Sequence, residues 1–420
     1  MKRMMWAARL RERFGEARRS SPGSLMATAA AGGFVALGVT IGVARGVPET
    51  TAAAQGQRPQ VSVPQFAPDP LWPKPLPNKW TTGQVSGIAV DRNDHIWVIH
   101  RPGTIADYEK AASFTPPRAE CCIPAPPVLE FDMAGNFISA WGGPAQGYEW
   151  PTNEHGIFVD HKDNVWIGGN GEGDAQILKF TNKGKFLLQI GHKGQSKGSN
   201  DTQNLGRPAG MFVYPKTNEL FVADGYGNRR AIVFDADTGA YKRHWGAYGK
   251  RPEDLKSPPR EQVIQGPPPT FFNNPVHGIR VSNDDLVYVA DRTNNRIQVF
   301  NLDGTFVKET FIRRETIQSE GTAYDVSLST DREQRFLYVV DGSNKYVRIL
   351  NRQTLAILDN IGGHGGHMAH EFFHVHSIGG PDSKGNIYLG EVNDGARYLR
   401  YAFKGMGAPT NPGTASTQSR

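Results

Sequence analysis

The chain has 420 residues, of which 38% are apolar and 21% charged, a balance that suits a water-soluble domain with a sizeable core. The formal charge of +6 would fit a nucleic-acid binder, but residues 1–54 hold eight Lys/Arg against three Glu and so carry +5, leaving +1 for all the rest. The basicity belongs to one end of the chain, so no nucleic-acid partner is expected.

That end reads in three parts: a cationic stretch closing at Arg18-Arg19, an apolar run from Leu25 to Val43, and Ala52-Ala53-Ala54 before Gln55. This is the layout of an export signal with a small-residue cleavage site, expected over 1–54 and followed by a linker at 55–61. The paired arginines point to the twin-arginine route, although the serines, proline and glycine of 20–24 match its usual apolar continuation poorly. The alternative is an uncleaved anchor, since a run of ~20 residues can span a bilayer. The protein is therefore expected to be exported, periplasmic or secreted, or else held at the inner membrane by residues 25–43. That segment is its one expected membrane contact.

Beyond residue 61 one pattern recurs six times: a small or polar residue, an alternating apolar strand, a turn with Asp, Asn or Gly, and a second apolar strand. The copies run from Val85 to Arg101, His155 to Gly169, Ala209 to Phe234, His277 to Phe300, Tyr324 to Leu350 and His376 to Val392. Third and fourth strands follow in most copies. The 48 glycines and 29 prolines suit many short strands joined by turns. Four strands per unit at this spacing predict an all-β fold, a six-bladed β-propeller of four-stranded antiparallel blades over 62–403, with a disordered tail at 404–420. Longer connections at 102–127, 192–208 and 250–275 are expected to shape a binding mouth. The two cysteines, Cys121 and Cys122, are adjacent; a vicinal disulfide and two ordinary thiols are both open readings.

The first residue of the repeat lies at the start of the innermost strand, where the blades converge. Around the ring that position holds Ser86, His155, Ala209, His277, Tyr324 and His376, so every second blade begins with histidine. Three imidazoles on alternate blades meet at one point of the central channel. That arrangement offers three nitrogens at ~2.0–2.1 Å from a tetrahedral ion and leaves a fourth corner open. Zinc, one ion per chain, fits this ligand set best; iron, copper and nickel stay open on ligand type. A second group, His364, His367, His370 and His374, lies in a Gly-rich loop expected at the mouth, with His374 lining the site and no second metal expected.

These motifs resemble the peptidyl-α-hydroxyglycine α-amidating lyases (peptidylamidoglycolate lyases), which share an NHL-repeat propeller. The resemblance places zinc on His155, His277 and His376. It places the catalytic tyrosine on Tyr226 of the turn Asp224-Gly225-Tyr226, and active-site arginines on Arg101 and Arg292. It also implies a structural calcium held by the main-chain oxygens of Ile88 and Ile157 and by an aspartate after the third histidine. Here that residue is Ser377, a departure from the calcium site. A family methionine is replaced by His374, and a family cysteine by Gly227.

The activity implied is cleavage of an α-hydroxyglycine-type carbinolamide, or a related α-hydroxy amide, to an amide and glyoxylate by a monomeric, zinc-dependent lyase. The substrate would be a small molecule or peptide-derived. A cation and a guanidinium nearby would favour the phenolate of Tyr226 as base, and arginine forks suit a carboxylate. Residue by residue, plainer readings stand beside these: Tyr226 as a turn aromatic, Arg292 as the partner of Asp291. Two other functions compete. A non-catalytic NHL-type binding module needs no axial imidazoles, and a lactonase-type propeller hydrolase needs axial carboxylates where this chain has histidines.

Overall fold

The structure, a computed structural model, describes residues 61–412. The export segment expected at 1–54, and the linker apart from residue 61, lie outside the described residues. Six four-stranded antiparallel sheets form the blades. Their innermost strands are Gln84–Val90, Glu154–Val159, Met211–Tyr214, Val276–Val281, Ala323–Leu328 and Val375–Gly379. Each contacts the innermost strands of both neighbouring blades, and the ring closes between blades six and one. The first five blades are sequential along the chain. The sixth takes its outermost strand from the other end: Val63–Asp69 pairs with Tyr398–Gly407. Closing the ring with strands from both ends ties the first and last blades through main-chain hydrogen bonds, removing the edge an open arc would expose.

Where the repeat pattern ends the blades at residue 403, that last strand continues to Gly407. Thr410 and Asn411 then donate main-chain N–H groups to Asp359, at 3.0 and 2.6 Å. The start of the expected tail is thus packed on blade five; residues 413–420 lie outside the described residues.

Six apolar clusters fill the six seams between blades. Between blades three and four, for example, Phe221, Val233 and Trp245 pack on Ile279, Val289 and Phe300. Between six and one, Tyr388 packs on Val85, Val98 and Trp72. Alternation along each strand supplies apolar side chains to both seams at once, which is why a single blade cannot stand alone.

Two polar devices repeat. At the first hairpin, Asp91, Asp160 and Asp382 each accept main-chain N–H groups of the turn with one carboxylate oxygen. The other oxygen accepts Trp97 Nε1, Trp166 Nε1 or Tyr388 Oη, at 3.0, 2.9 and 2.8 Å. At the second hairpin a buried acid at the end of strand two meets an arginine on strand three or, in blade six, just before it. The pairs are Asp224–Arg230 at 2.9 Å, Asp291–Arg296 at 2.8 Å, Asp341–Arg348 at 2.7 Å, and Glu391–Arg397. Asp291 therefore belongs to Arg296, and Arg292 is left free of that pairing.

Among the connections, 102–127 carries a disulfide between Cys121 and Cys122. A short parallel pairing of Trp80–Thr81 with Ile123–Pro124 holds the loop to the body. The connections at 192–208 and 250–275 pack together, through Ser199 on Asp254 and Asn200 on Pro252.

Candidate metal centre

A β-bulge builds the site. In five blades the register between the first two strands skips at the repeat's first residue: between Val85 and Gly87, Glu154 and Ile157, Val276 and Gly278, Ala323 and Asp325, and Val375 and Ser377. The residue left out of the ladder is Ser86, His155, His277, Tyr324 or His376. A bulge re-aims the side chain of its extra residue, and here three of those side chains are imidazoles turned to the axis. The glycine that follows allows the close approach of the next blade. A Cβ on Gly156 would stand 2.2 Å from the Ala209 carbonyl oxygen, and one on Gly278 2.8 Å from Asp325 Oδ1.

The three rings are buried and meet edge to face, with centroids 4.7 to 4.9 Å apart. One nitrogen from each lies within 4.8 Å of the others, and Nε2 of His277 and of His376 are 3.1 Å apart. Three nitrogens bound tetrahedrally at ~2.0–2.1 Å stand roughly 3.3–3.4 Å from one another, so the His277–His376 spacing is close to that of a closed ligand set.

The non-histidine positions of the alternation have their own task. His277 Nδ1 donates to the carbonyl of Tyr324 (2.6 Å) and His376 Nδ1 to that of Ser86 (2.9 Å). His155 Nδ1 has no partner within hydrogen-bond distance, and the carbonyl acting on it is that of Ala209. For His277 and His376 the main chain of the next blade's first residue thus places the proton on Nδ1 and leaves Nε2 as a lone-pair donor. Burial, with the neighbouring imidazoles and the Arg101 and Arg292 guanidiniums, holds all three well below the ordinary imidazole range, hence neutral. A neutral, oriented set of nitrogen donors fits a divalent ion such as zinc.

Tyr226 closes the group. Its hydroxyl stands 3.1 Å from Nε2 of His155 and 3.1 Å from Nε2 of His277, and Arg292 Nη1 donates to it at 3.2 Å. The Tyr226 turn is held main chain to main chain: Gly227 N–H donates to Gly206 O at 2.7 Å and Tyr226 N–H to Arg207 O at 3.3 Å. Gly227 and Gly206 pack backbone on backbone, which leaves no room for a Cβ. Arg101 is buried and braced: Nε donates to Glu154 O (2.7 Å), Nη1 to Gln84 Oε1 (3.0 Å) and Nη2 to Asn170 Oδ1 (3.3 Å).

His374 stands one layer out. Its Nε2 is 3.2 Å from Glu320 Oε2, and Tyr324 donates its hydroxyl to the same oxygen at 2.7 Å. The His374 contact, outweighing burial, holds Glu320 down to about 2. Arg292 lies across the Tyr324 ring at 4.5 Å, linking this cluster to Tyr226. His364, His367 and His370 join no group of metal-ligand spacing among the described residues. Asp91, His95 and Glu130 have that spacing, but Asp91 is spent on its turn and on Trp97, and Glu130 on His95 and Ser139.

The calcium site implied by the resemblance does not fit. Ile88, Ile157 and Ser377 do line an axial cavity, of about 30 Å³, with Ser86 and Asp325. Its carboxylate, Asp325, comes from blade five and already accepts the N–H groups of Val326 and Ile378. Arg280 lines the same space and draws on that carboxyl, so the cavity has its own cation. Calcium takes 6–8 oxygens, and this room suits about one water.

Arg207, Asn170, Glu320 and Asp325 escape the sequence reading. One signal was available: Gln84, Asn153, Arg207 and His374 all stand two residues before the repeat's first position, and these side chains meet Arg101, Asn170 and Tyr324.

Fold and axial site together define a six-bladed propeller of the NHL-repeat type with three converging histidines. A family model described as "NHL repeat" matches residues 272–300, within blade four. The chain is 29% identical over 230 residues to the peptidylglycine alpha-amidating monooxygenase of Rattus norvegicus, covering 54% of this chain and 22% of that one. It is 28% identical over 222 residues to a probable peptidyl-alpha-hydroxyglycine alpha-amidating lyase of Caenorhabditis elegans, covering 52% and 56%. It is 28% identical over 248 residues to NHL repeat-containing protein 3 of Mus musculus, covering 57% and 58%. Each match spans less than two thirds of the relative's length. Proteins bearing the amidating-lyase name are thus among its relatives, in agreement with the motif resemblance.

Proposed function

We propose that this protein is a metal-dependent lyase, with zinc as the ion, that cleaves an α-hydroxyglycine-type carbinolamide to an amide and glyoxylate. One observation carries the reading: three neutral Nε2 atoms and the Tyr226 hydroxyl converge on one buried point, with a guanidinium on the phenol oxygen. Relatives named as amidating lyases support it. A divalent ion on the three nitrogens would supply a Lewis acid that makes the substrate hydroxyl more acidic.

The chain's own residues would do the rest. Arg292 donates to Tyr226 Oη, which as the phenolate takes the hydroxyl proton and becomes the neutral phenol. The O–H electron pair becomes the second bond of the glyoxylate carbonyl, the C–N bond breaks, and its pair leaves on nitrogen, which takes up a proton to give the amide. Burial of the imidazoles keeps water from competing with the ligand set.

The test is incubation of the purified full chain with N-benzoyl-α-hydroxyglycine, with metal analysis of the same sample. Glyoxylate and about one equivalent of zinc are expected. Protein that holds zinc and releases no glyoxylate would defeat the substrate assignment. A non-catalytic propeller is the second reading, since one relative is named for its repeat alone; it predicts no bound metal.

A further inference from the structure

We propose that Arg207 receives the substrate's carboxylate, an inference that rests on the lyase reading and assigns a further substrate-binding residue to it. Three guanidiniums surround Tyr226, and their bonds differ. Arg101 spends Nε, Nη1 and Nη2 on Glu154, Gln84 and Asn170, and so braces blade one against blade two. Arg292 gives Nη1 to the phenol oxygen and lies over the Tyr324 ring. Arg207 donates only Nε, to the Asn170 carbonyl at 2.8 Å, and its guanidinium carbon is 5.9 Å from the centre of the Tyr226 ring. Its two terminal nitrogens have no protein partner among the described residues. A carboxylate prefers two parallel N–H donors from one fork; Arg292 also keeps Nε without a partner, but that nitrogen is sealed from solvent, whereas Arg207 keeps both terminal nitrogens unspent.

The backbone aims it. Arg207 has φ of 58°, in the left-handed region, directly before Pro208, a conformation that persists only when its surroundings hold it. They do: its N–H donates to Asp174 O at 2.7 Å, and its carbonyl accepts from Tyr226 N–H. Asn170 orients two arginines at once, Arg207 through its carbonyl and Arg101 through Oδ1. The base and the anion receiver thus sit on paired turns, so a substrate held by its carboxylate at Arg207 brings its α-hydroxyl toward Tyr226. Glu320, beside Tyr324 and His374, would repel a carboxylate bound the other way round.

The test measures binding of two unreactive probes to the zinc-loaded full chain by calorimetry: hippurate (N-benzoylglycine) and its neutral amide, hippuramide. Wild type should prefer hippurate. In Arg207→Gln, hippurate should weaken by about 10- to 100-fold, the loss expected for one charged hydrogen-bonded pair, while hippuramide is unchanged. Arg207→Lys should recover part of the loss, and zinc content should hold in both variants. Equal weakening of both probes would mark a merely structural arginine and overturn the proposal, as would hippurate binding unchanged in Arg207→Gln, or wild type without a preference for the anion. Glyoxylate release on the same preparations separates the two readings. An intact hippurate preference without glyoxylate sinks the lyase and leaves the anion receiver; glyoxylate release with no loss in Arg207→Gln sinks Arg207 alone.

Discussion

His100 offers a quantitative test of how this fold treats a buried imidazole away from the metal ligands. It is fully buried beside Arg101, where Nδ1 accepts the Gly83 N–H at 3.2 Å and Nε2 donates to the Pro126 carbonyl at 3.0 Å. Burial pulls its pKa from 6.5 down to about 4, against the opposing pull of the Pro126 and Ala125 carbonyls. Because the folded value lies below the unfolded one, the contribution to stability is complete above pH 6.5 and is lost as the pH falls from there toward 4. Between pH 7.5 and 5.0 the unfolded chain takes up a proton that the folded chain refuses, a loss of about 2 kcal/mol through this residue.

Glutamine offers one acceptor and one donor and does not titrate, so His100→Gln removes this term and keeps both hydrogen bonds. Urea unfolding of wild type and variant at the two pH values should show the variant losing about 2 kcal/mol less than wild type over the interval. Equal losses in both would mean that folded His100 titrates like a free imidazole, and the reasoning from burial would fail.

His155→Ala, His277→Ala or His376→Ala should each abolish stoichiometric zinc binding, read by metal analysis after gentle purification; retention of a full equivalent in any of them would break the three-ligand site. Tyr226→Phe should keep the metal and lower glyoxylate formation by about 10²–10⁴-fold, the usual worth of a general base; an unchanged rate would remove Tyr226 from the chemistry. A calcium chelator that spares zinc should leave the melting temperature unchanged, because Arg280 and Asp325 occupy the axial cavity; a clear drop would restore calcium to the ring. Arg230→Met should destabilise the fold by about 3–5 kcal/mol in urea, since it strands the fully buried Asp224 carboxylate.

The alternation of apolar residues, the turn signals and the sixfold recurrence are local properties, and so blade number and strand count were legible along the chain. The same holds for the histidines: their equivalence is a matter of position in a repeat, and repeats can be aligned without coordinates. The strand pairing that closes the ring was not legible, because Val63–Asp69 reads as one more extended stretch until it is found beside Tyr398–Gly407. Arg292 illustrates the same limit. Adjacent to Asp291 in sequence, it could be read as its partner as well as an active-site residue, yet the strand ends at Asp291 and Arg292 opens a short 3-10 turn, while the Asp291 pair goes to Arg296.

By itself, then, the amino-acid order determined a ring of six sheets and which three imidazoles share its axis, since strand periodicity and repeat spacing are written residue by residue. Tertiary structure alone decided the rest. A bulge turns each histidine out of its ladder, the next blade's carbonyl sets the tautomer of His277 and of His376, and loops far apart in the chain bring Tyr226, Arg292 and Arg207 around one point. Those contacts link residues tens to hundreds of positions apart, and only the closure of the ring brings such partners within bonding distance.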